Sequence, residues 1–445
     1  MHIAHRKHCF FFLLAPYVPL YAFYSFMKNL LQFGAGNIGR SFIGQLFSRA
    51  DYEVVFVDVD QTLISAFNAR HSYTVEIRDQ ENQTIEVKNV RAISAVDVDS
   101  VVREIASASI MGTAVGPAVL PRLFPVLARG IQERHAAGAG PIDIILCENL
   151  RNAAETVRSG LQPLLPGDFP LAAYMGLVET SIGKMVPMMP DEVRKHDPLM
   201  VFAEAYNTLI LDHKGFINEV PDVPGLAPKD NMKAYVDRKS FIHNLGHAAL
   251  AYYAHLVAPE MTYTYQAVED PELRAWVKIA MWESGRTLMA MYPGEFTQEG
   301  LEEHIEDLLQ RFGNKVLGDT IHRVGRDLRR KLSAIDRVAG PLIEAERGGL
   351  PAPYTAIALA AGLYFLAPGS DNKPFQPDAE IVRICEEQGP EQVIREICGQ
   401  SDRMIRIVTE IYRSIGREQQ NGRLPRQSFG ALGDRIASFF LPGAL

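Results

Sequence analysis

Paired cysteines, surplus positive charge and long apolar runs are all scarce in this 445-residue chain, and each shortage removes a class of protein. The four cysteines (Cys9, Cys147, Cys385, Cys398) form no CxxC pair, so no disulfide framework is expected and reduced thiols in the cytoplasm are the simpler reading. Lysine and arginine total 45 against 53 aspartates and glutamates, a net charge of -8. That balance argues against a general nucleic-acid binder but leaves room for a local basic pocket. The apolar run at 356–366 is too short to span a bilayer and reads as a buried helix. At the start, His5-Arg-Lys-His8 precede an apolar run broken by Pro16 and Pro19, without an Ala-x-Ala cleavage site. Residues 1–26 are therefore expected to be a non-functional extension ahead of Met27, neither a signal nor a membrane span. No repeat is visible, and 47% hydrophobic with 22% charged residues suits an ordinary soluble protein of two or three domains.

What is present begins with Lys28-Asn-Leu-Leu-Gln-Phe33, a short apolar strand. It runs into Gly34, Ala35, Gly36, Asn37, Ile38 and Gly39, then a helical pattern, then a second strand, Glu53-Val-Val-Phe-Val-Asp58. GxGxxG alone is a weak signal; between a strand and a helix, with an acid closing the next strand, it is strong. Gly34 allows the tight turn, Gly36 lets backbone approach a pyrophosphate, and Gly39 lets the helix pack closely with its N-terminus towards the anion. Asp58 follows Gly34 by 24 positions, where a carboxylate accepts hydrogen bonds from an adenosine ribose and repels a 2′-phosphate. NAD is expected rather than NADP. After a small antiparallel pair near 74–77 and 84–87, strands at 109–115 and 142–147 end at Val115-Gly116-Pro117 and Glu148-Asn149. Ligands in open α/β sheets sit beyond the carboxyl ends of strands, so Val115, Gly116, Pro117 and Glu148 are candidates to line the cofactor cleft. Asn149 either joins them or is a turn residue capping the helix that follows.

From about residue 231 the pattern is helical almost throughout, with Leu301, Ile305, Leu308, Leu309 and Phe312 on one stripe. The expected fold is α/β, with a Rossmann-type doubly wound domain over 27–195 and a mostly α-helical substrate domain over 196–415. A loosely ordered tail is expected at 416–445.

The helix expected around 235–255 carries unusual cargo. On an α-helical wheel with Lys239 at zero, His243 falls near 40°, His247 near 80° and Asn244 near 140°. An amine, an amide and two imidazoles thus share one arc, although Asn and His are poor choices for a helix interior. Beside a nucleotide cleft, this set suits alcohol oxidation. Lys239 would take the hydroxyl proton, given a pKa lowered from about 10.4 by burial or positive neighbours. Asn149 and Asn244 would stabilise the developing alkoxide, and His247 would bind or orient the reacting oxygen. Three rivals use the same residues. HxxxH at His243–His247 has zinc-ligand spacing but lacks the glutamate of HExxH and a third ligand, so no metal is expected. Tyr235 and Lys239 match the YxxxK of short-chain dehydrogenases, whose glycine spacing differs. A sensor that binds NAD without turnover would not need Lys239.

Several blocks together resemble the mannitol-1-phosphate 5-dehydrogenase branch of the long-chain polyol dehydrogenases. They are Phe33-Gly-Ala-Gly-Asn-Ile-Gly-Arg40, Phe67-Asn-Ala-Arg-His-Ser-Tyr73, Thr113-Ala-Val-Gly-Pro117, Cys147-Glu-Asn149, Arg238-Lys-x-Phe-x-x-Asn-x-Gly-His247, Arg323-Val-Gly-Arg326 and Arg330-Lys-Leu-Ser-Ala-x-Asp-Arg337. The similarity runs over 27–415 in the same order. It implies reversible, metal-independent oxidation of D-mannitol 1-phosphate to D-fructose 6-phosphate with NAD, with Lys239 as base and Asn149, Asn244 and His247 in the roles above. Arg323, Arg326, Arg330 and Lys331 are the candidates for the phosphate. The resemblance further implies a cytoplasmic enzyme that needs no partner subunit and can work as a monomer. Two departures stand out: Gly183-Lys-Met-Val-Pro187 replaces the family's Asp-Arg-Ile-Val-Pro, and His243 stands where an apolar residue is usual. A charged His243 beside Lys239 would lower the lysine pKa; a satisfied core histidine is the alternative. The missing acid leaves room for an unphosphorylated polyol, a hexuronate or a hexonate as substrate.

Overall fold

The structure, a computed structural model, describes residues 28–440 apart from Gln80, Met188, Pro190 and Asn421. The extension at 1–26 lies outside the described residues.

The strands are β1 (Asn29–Phe33), β2 (Glu53–Asp58), β3 (Ser72–Ile77), β4 (Gln83–Lys88), β5 (Val90–Ser94), β6 (Ile110–Thr113), β7 (Ile142–Leu146), β8 (Met175–Ser181), β9 (Val201–Ala203), β10 (Leu209–Asp212) and β11 (Leu226–Lys229). Eight form one sheet in the order β11-β10-β8-β7-β6-β1-β2-β5. Within it β10 runs antiparallel to β8 and every other neighbouring pair is parallel. Its central strands are near-continuous apolar runs because helices cover both faces, and a separate core fills each side. The chain leaves β1 for β2 and β5 on one side and returns through β6, β7 and β8 on the other. The carboxyl ends of β1 and β6 therefore flank the topological switch point, where such sheets bind ligands. The antiparallel β3–β4 pair is present as expected, and β9 adds to it in parallel to make a three-stranded sheet.

The second half is helical. At its centre one continuous helix runs through Met232–Arg238, a π-helical turn at Lys239–Asn244, and Leu245–Val257. Its last section is almost wholly buried, because alanines and tyrosines pack on every side of it. In the helix Gln298–Phe312 the buried residues include all five of the expected stripe. No helix among the described residues is long and apolar enough to cross a membrane.

Two expected boundaries are corrected. Strands β9 to β11 pair into the sheets of the first half, so the division placed at 195/196 falls inside that half, which extends to Lys229. Hydrophobic pattern alone could not show which half these short strands would join. The described residues after 415 are not a loose tail. The helix Arg426–Phe439 buries Phe429, Leu432 and Ile436, and Phe429 stacks on Trp276 at 4.2 Å between ring centroids. Arg426 pairs with Asp270 at 2.6 Å.

The halves are joined by a buried ion pair. Arg311, near the end of Gln298–Phe312, donates to both oxygens of Glu204 at 2.9 and 2.7 Å and to the Gly183 carbonyl at 2.5 Å. Breaking such a pair from one side leaves an uncompensated buried charge. Glu204→Ala is expected to destabilise the protein by about 3 kcal/mol in chemical denaturation. A loss below about 1 kcal/mol, as at an exposed pair, would count against this account.

Candidate active site

The glycine loop closes the carboxyl end of β1. Gly34 has φ +94°, and a Cβ there would meet the Ala114 carbonyl oxygen at 2.6 Å. At Gly36 an added Cβ would meet nothing within 4 Å, which leaves open space beside the loop for an anion. Gly39 differs in detail from expectation: its missing side chain makes room for the Gly34 carbonyl, 2.1 Å from where a Cβ would stand. The close approach is helix to loop. Asp58 holds this loop through the Ala35 N–H at 2.7 Å, and accepts from Val59 and Asp60 N–H at 2.7 and 3.0 Å. Each carboxylate oxygen has more than one lone pair, so these bonds leave acceptor capacity for a ribose hydroxyl. Glu148 works in a similar way across the switch point. It is buried, and its two oxygens accept from Val115 N–H at 3.0 Å and Gly116 N–H at 2.7 Å. It shapes the loop after β6 that Pro117 completes, and it still lines the cleft.

Two clefts meet at Glu148, Asn149, Lys239 and Asn244. One, of about 460 Å³, runs from Ile38, Gly116 and Pro117 to Lys184, His243, His247, Asp319 and Arg323. The other, of about 450 Å³, is lined by Arg151, Ser333, Ile335, Arg330, Asp336 and Arg337 among others. Lys239 stands at the junction. Its Nζ donates to Asn149 Oδ1 at 3.1 Å, which leaves the Asn149 amide N–H₂ free to donate elsewhere. Asn149 thus belongs to the cleft. The turn position that precedes the next helix is Asn152, with φ +56°. Burial, helped by the Arg337 charge and opposed by Asp336, lowers the Lys239 pKa to about 8.

The π-turn changes the wheel expected from 100° steps. Bonds from i to i+5 bring residues five apart towards one side, and Lys239 and Asn244 are five apart. Asn244 therefore joins the lysine on both cleft walls instead of lying 140° away on an α-helical wheel. The Leu245 N–H reaching back to Ser240 O is one such bond. His243 also faces the first cleft. Burial and then the charges of His247, Arg311, Lys239 and His304 push its pKa well down, so it stays neutral. It cannot be the positive group that depresses Lys239; Arg337, which the spacing did not single out, takes that part.

His247 stacks flat on Phe312, with ring centroids 4.1 Å apart and planes 10° apart. Its Nε2 is buried without a hydrogen-bond partner, 3.6 Å from Asp319 Oδ2. Burial, with Arg323, Lys331, Arg337 and Arg311, keeps the ring neutral. A neutral imidazole with a free nitrogen on a cleft wall is suited to a substrate hydroxyl. The His243 and His247 rings are 5.9 Å apart, and among the described residues no group of three His, Cys, Asp or Glu side chains could hold a metal ion.

The basic run divides. Arg323 lines the first cleft and pairs with Asp319; Arg330 lines the second and pairs with Asp327 at 2.6 Å. Arg326 and Lys331, expected at the phosphate, line neither cleft. Arg326 lies over the Phe375 ring, 5.7 Å from its centroid, and Lys331 is buried with Nζ donating to the Val324 carbonyl. The run is split between two short helices, Ile321–Gly325 and Leu328–Lys331, so its charges do not share one face. In place of the family's Asp-Arg pair, Gly183 gives its carbonyl to Arg311. Lys184 Nζ donates to Tyr206 O at 2.7 Å and Asn207 Oδ1 at 3.1 Å, with burial lowering its pKa to about 8.

A base must be neutral, so alcohol oxidation should rise about tenfold per pH unit below the lysine pKa and level off above it. Arg337→Met removes a charge that lowers this pKa, so the rising limb of the pH–rate profile should move to higher pH. Asp336→Asn should move it to lower pH. Unmoved limbs in both variants would rule out Lys239 as the titrating base.

The mannitol dehydrogenase Rossmann domain matches residues 28–225, and the mannitol dehydrogenase C-terminal domain matches residues 231–397. Pseudomonas fluorescens mannitol 2-dehydrogenase, solved as a ternary complex with NAD and D-mannitol, superposes with a TM-score of 0.69 at 17% identity, over 92% of this chain and 94% of that one. A D-sorbitol dehydrogenase in substrate-free form gives 0.67 at 15% identity, over 92% of each chain. At such identities the superpositions establish a shared fold, while the two domain matches together span most of the sequence. The chain belongs to the mannitol dehydrogenase family.

Proposed function

We propose that the chain is an NAD-dependent dehydrogenase that interconverts a sugar alcohol and a ketose, and that its substrate is a polyol phosphate of the D-mannitol 1-phosphate type. The observation that carries this reading is the lysine. Its amine, lowered to a pKa of about 8, lies between a cleft reaching the glycine loop and a cleft lined by Arg330 and Arg337. Lys239 takes the hydroxyl proton of the substrate. The Asn149 and Asn244 amides donate to the oxygen as negative charge develops on it, and the free Nε2 of His247 orients a hydroxyl. NAD, when bound, accepts the hydride. The chain's residues fit that cofactor: Gly36 leaves the approach open and Asp58 keeps acceptor capacity beside the loop. Arg330 and Arg337 supply guanidinium groups that match phosphate oxygens.

A second reading is favoured by a specific observation. Arg330 and Arg337 already pair with carboxylates, at 2.6 Å to Asp327 and 2.9 Å to Asp336, so little free positive charge remains. The mannitol 2-dehydrogenase and sorbitol dehydrogenase that share the fold carry names of unphosphorylated sugar alcohols. A plain polyol therefore fits nearly as well.

NADH oxidation measured in parallel against fructose 6-phosphate, fructose and a hexuronate separates the readings. Fructose 6-phosphate should be preferred by kcat/KM, and Arg330→Ala should raise its KM at least about tenfold without affecting fructose. A preference for fructose would establish the plain-polyol reading. If none of the three is reduced while NADH still binds, the chain is a sensor.

A further inference from the structure

The segments that bring Asn149 and Lys239 together carry a second contact, two residues beyond the asparagine and two before the lysine. Arg151 Nη1 donates to Asp237 Oδ1 at 2.8 Å, while Asp237 Oδ2 accepts from Lys233 Nζ at 2.8 Å and from the Tyr292 hydroxyl at 2.5 Å. The Asp237 side chain is only 3% exposed, whereas that of Arg151 is 36% exposed. Burial pushes the carboxyl pKa up, but the bonds from Lys233, Tyr292 and Arg151 outweigh it and keep the group ionised. Asp237 lines neither cleft, and residues i and i+2 of a helix do not face each other. The charges acting on the lysine are those of Arg337 and Asp336. Any influence of Asp237 on the amine is therefore carried by the backbone.

We propose that Asp237 is a positioning residue: through Arg151 it latches the loop after β7 to the catalytic helix and holds the Asn149 amide against the Lys239 amine. The contact suits a latch. Arg151 belongs to the nucleotide half, Asp237 to the helical half, and Tyr292 follows the long helix Pro271–Met291. The carboxylate thereby ties its own helix to two other segments. Without it the loop and helix would still touch, but a misplacement on the order of 1 Å at a reacting centre costs on the order of 10²-fold in rate.

This inference rests on Lys239 being the base, so Lys239→Ala is the reference. The test takes Arg151→Met, Arg151→Lys, Asp237→Asn and the Arg151→Met/Asp237→Asn double variant through steady-state kinetics on the ketose that proves active. NADH binding and hydrogen exchange of the loop at 149–152 are measured alongside. Expected are a kcat lower by about 10- to 100-fold in Arg151→Met and Asp237→Asn, with NADH affinity in both and KM in Asp237→Asn, which lines neither cleft, changed less than about threefold. The pH limb should stay in place, the double variant should be no worse than the poorer single one, and Arg151→Lys should recover much of the rate. Loop exchange should quicken. Unchanged kcat in Arg151→Met, multiplying losses in the double variant, or a raised KM with kcat intact would each overturn the latch. Should Asp237→Asn fail to fold, the two Arg151 variants decide on the same criteria of kcat and rescue. Turnover retained by Lys239→Ala would remove the base reading itself, whereas an inactive Lys239→Ala beside a fully active Arg151→Met would remove only the latch.

Discussion

An amine that is to act as a base near neutral pH must leave water without gaining a carboxylate partner. On the proposed function, that constraint shapes the centre of this protein. Lys239 sits on a helix whose continuation is embedded in the largest apolar core, and its one hydrogen-bonding partner among the described residues is the neutral Asn149 oxygen. Placing Asp336 alone beside it would restore the charge; Arg337 on the next position counters that. The depressed pKa therefore depends on how completely the two halves close over one side chain.

Closure is arranged mainly through acids that serve the backbone. Asp58 holds the glycine loop, Glu148 holds the loop after β6, and Glu204 takes Arg311 across the domain boundary. Each of these carboxylates, buried at Glu148 and Glu204 and half-buried at Asp58, is matched by two or more donors, as burial of a charge requires. The cleft walls are consequently built from loops held by such bonds, and they carry two amides, two imidazoles and the lysine together with charged groups such as Arg323, Arg330 and Arg337.

The π-turn at Lys239–Asn244 is the local feature on which the constellation turns. One extra residue in the turn swings Asn244 towards the lysine. The helix can tolerate it because the α-helical section that follows, Leu245–Val257, is held by packing on nearly every side. Nothing in the composition of Lys-Ser-Phe-Ile-His-Asn announces a π-turn, since propensities separate helix from strand far better than one helix type from another.

The glycine loop, the strands of the parallel sheet, the stripe of Gln298–Phe312 and the placement of Asp58 at the loop and Lys239 at the cleft were all legible in the chain. Spacing and periodicity are local properties, and short-range sterics translate them directly into turns, strands and faces. Contacts between distant residues were not legible. They include the pairing of β9 to β11 with the first half, the packing of the final helix on Trp276, the inward turn of Lys331, and the roles of Arg151 and Arg337. A charged residue in a run such as 323–337 has no face until tertiary packing chooses which side is covered, and no pKa until its neighbours are in place. The amino-acid order alone determined which groups could perform the chemistry. The folded arrangement decided which of them meet, because burial and Coulomb interactions depend on distance in space and not on distance along the chain.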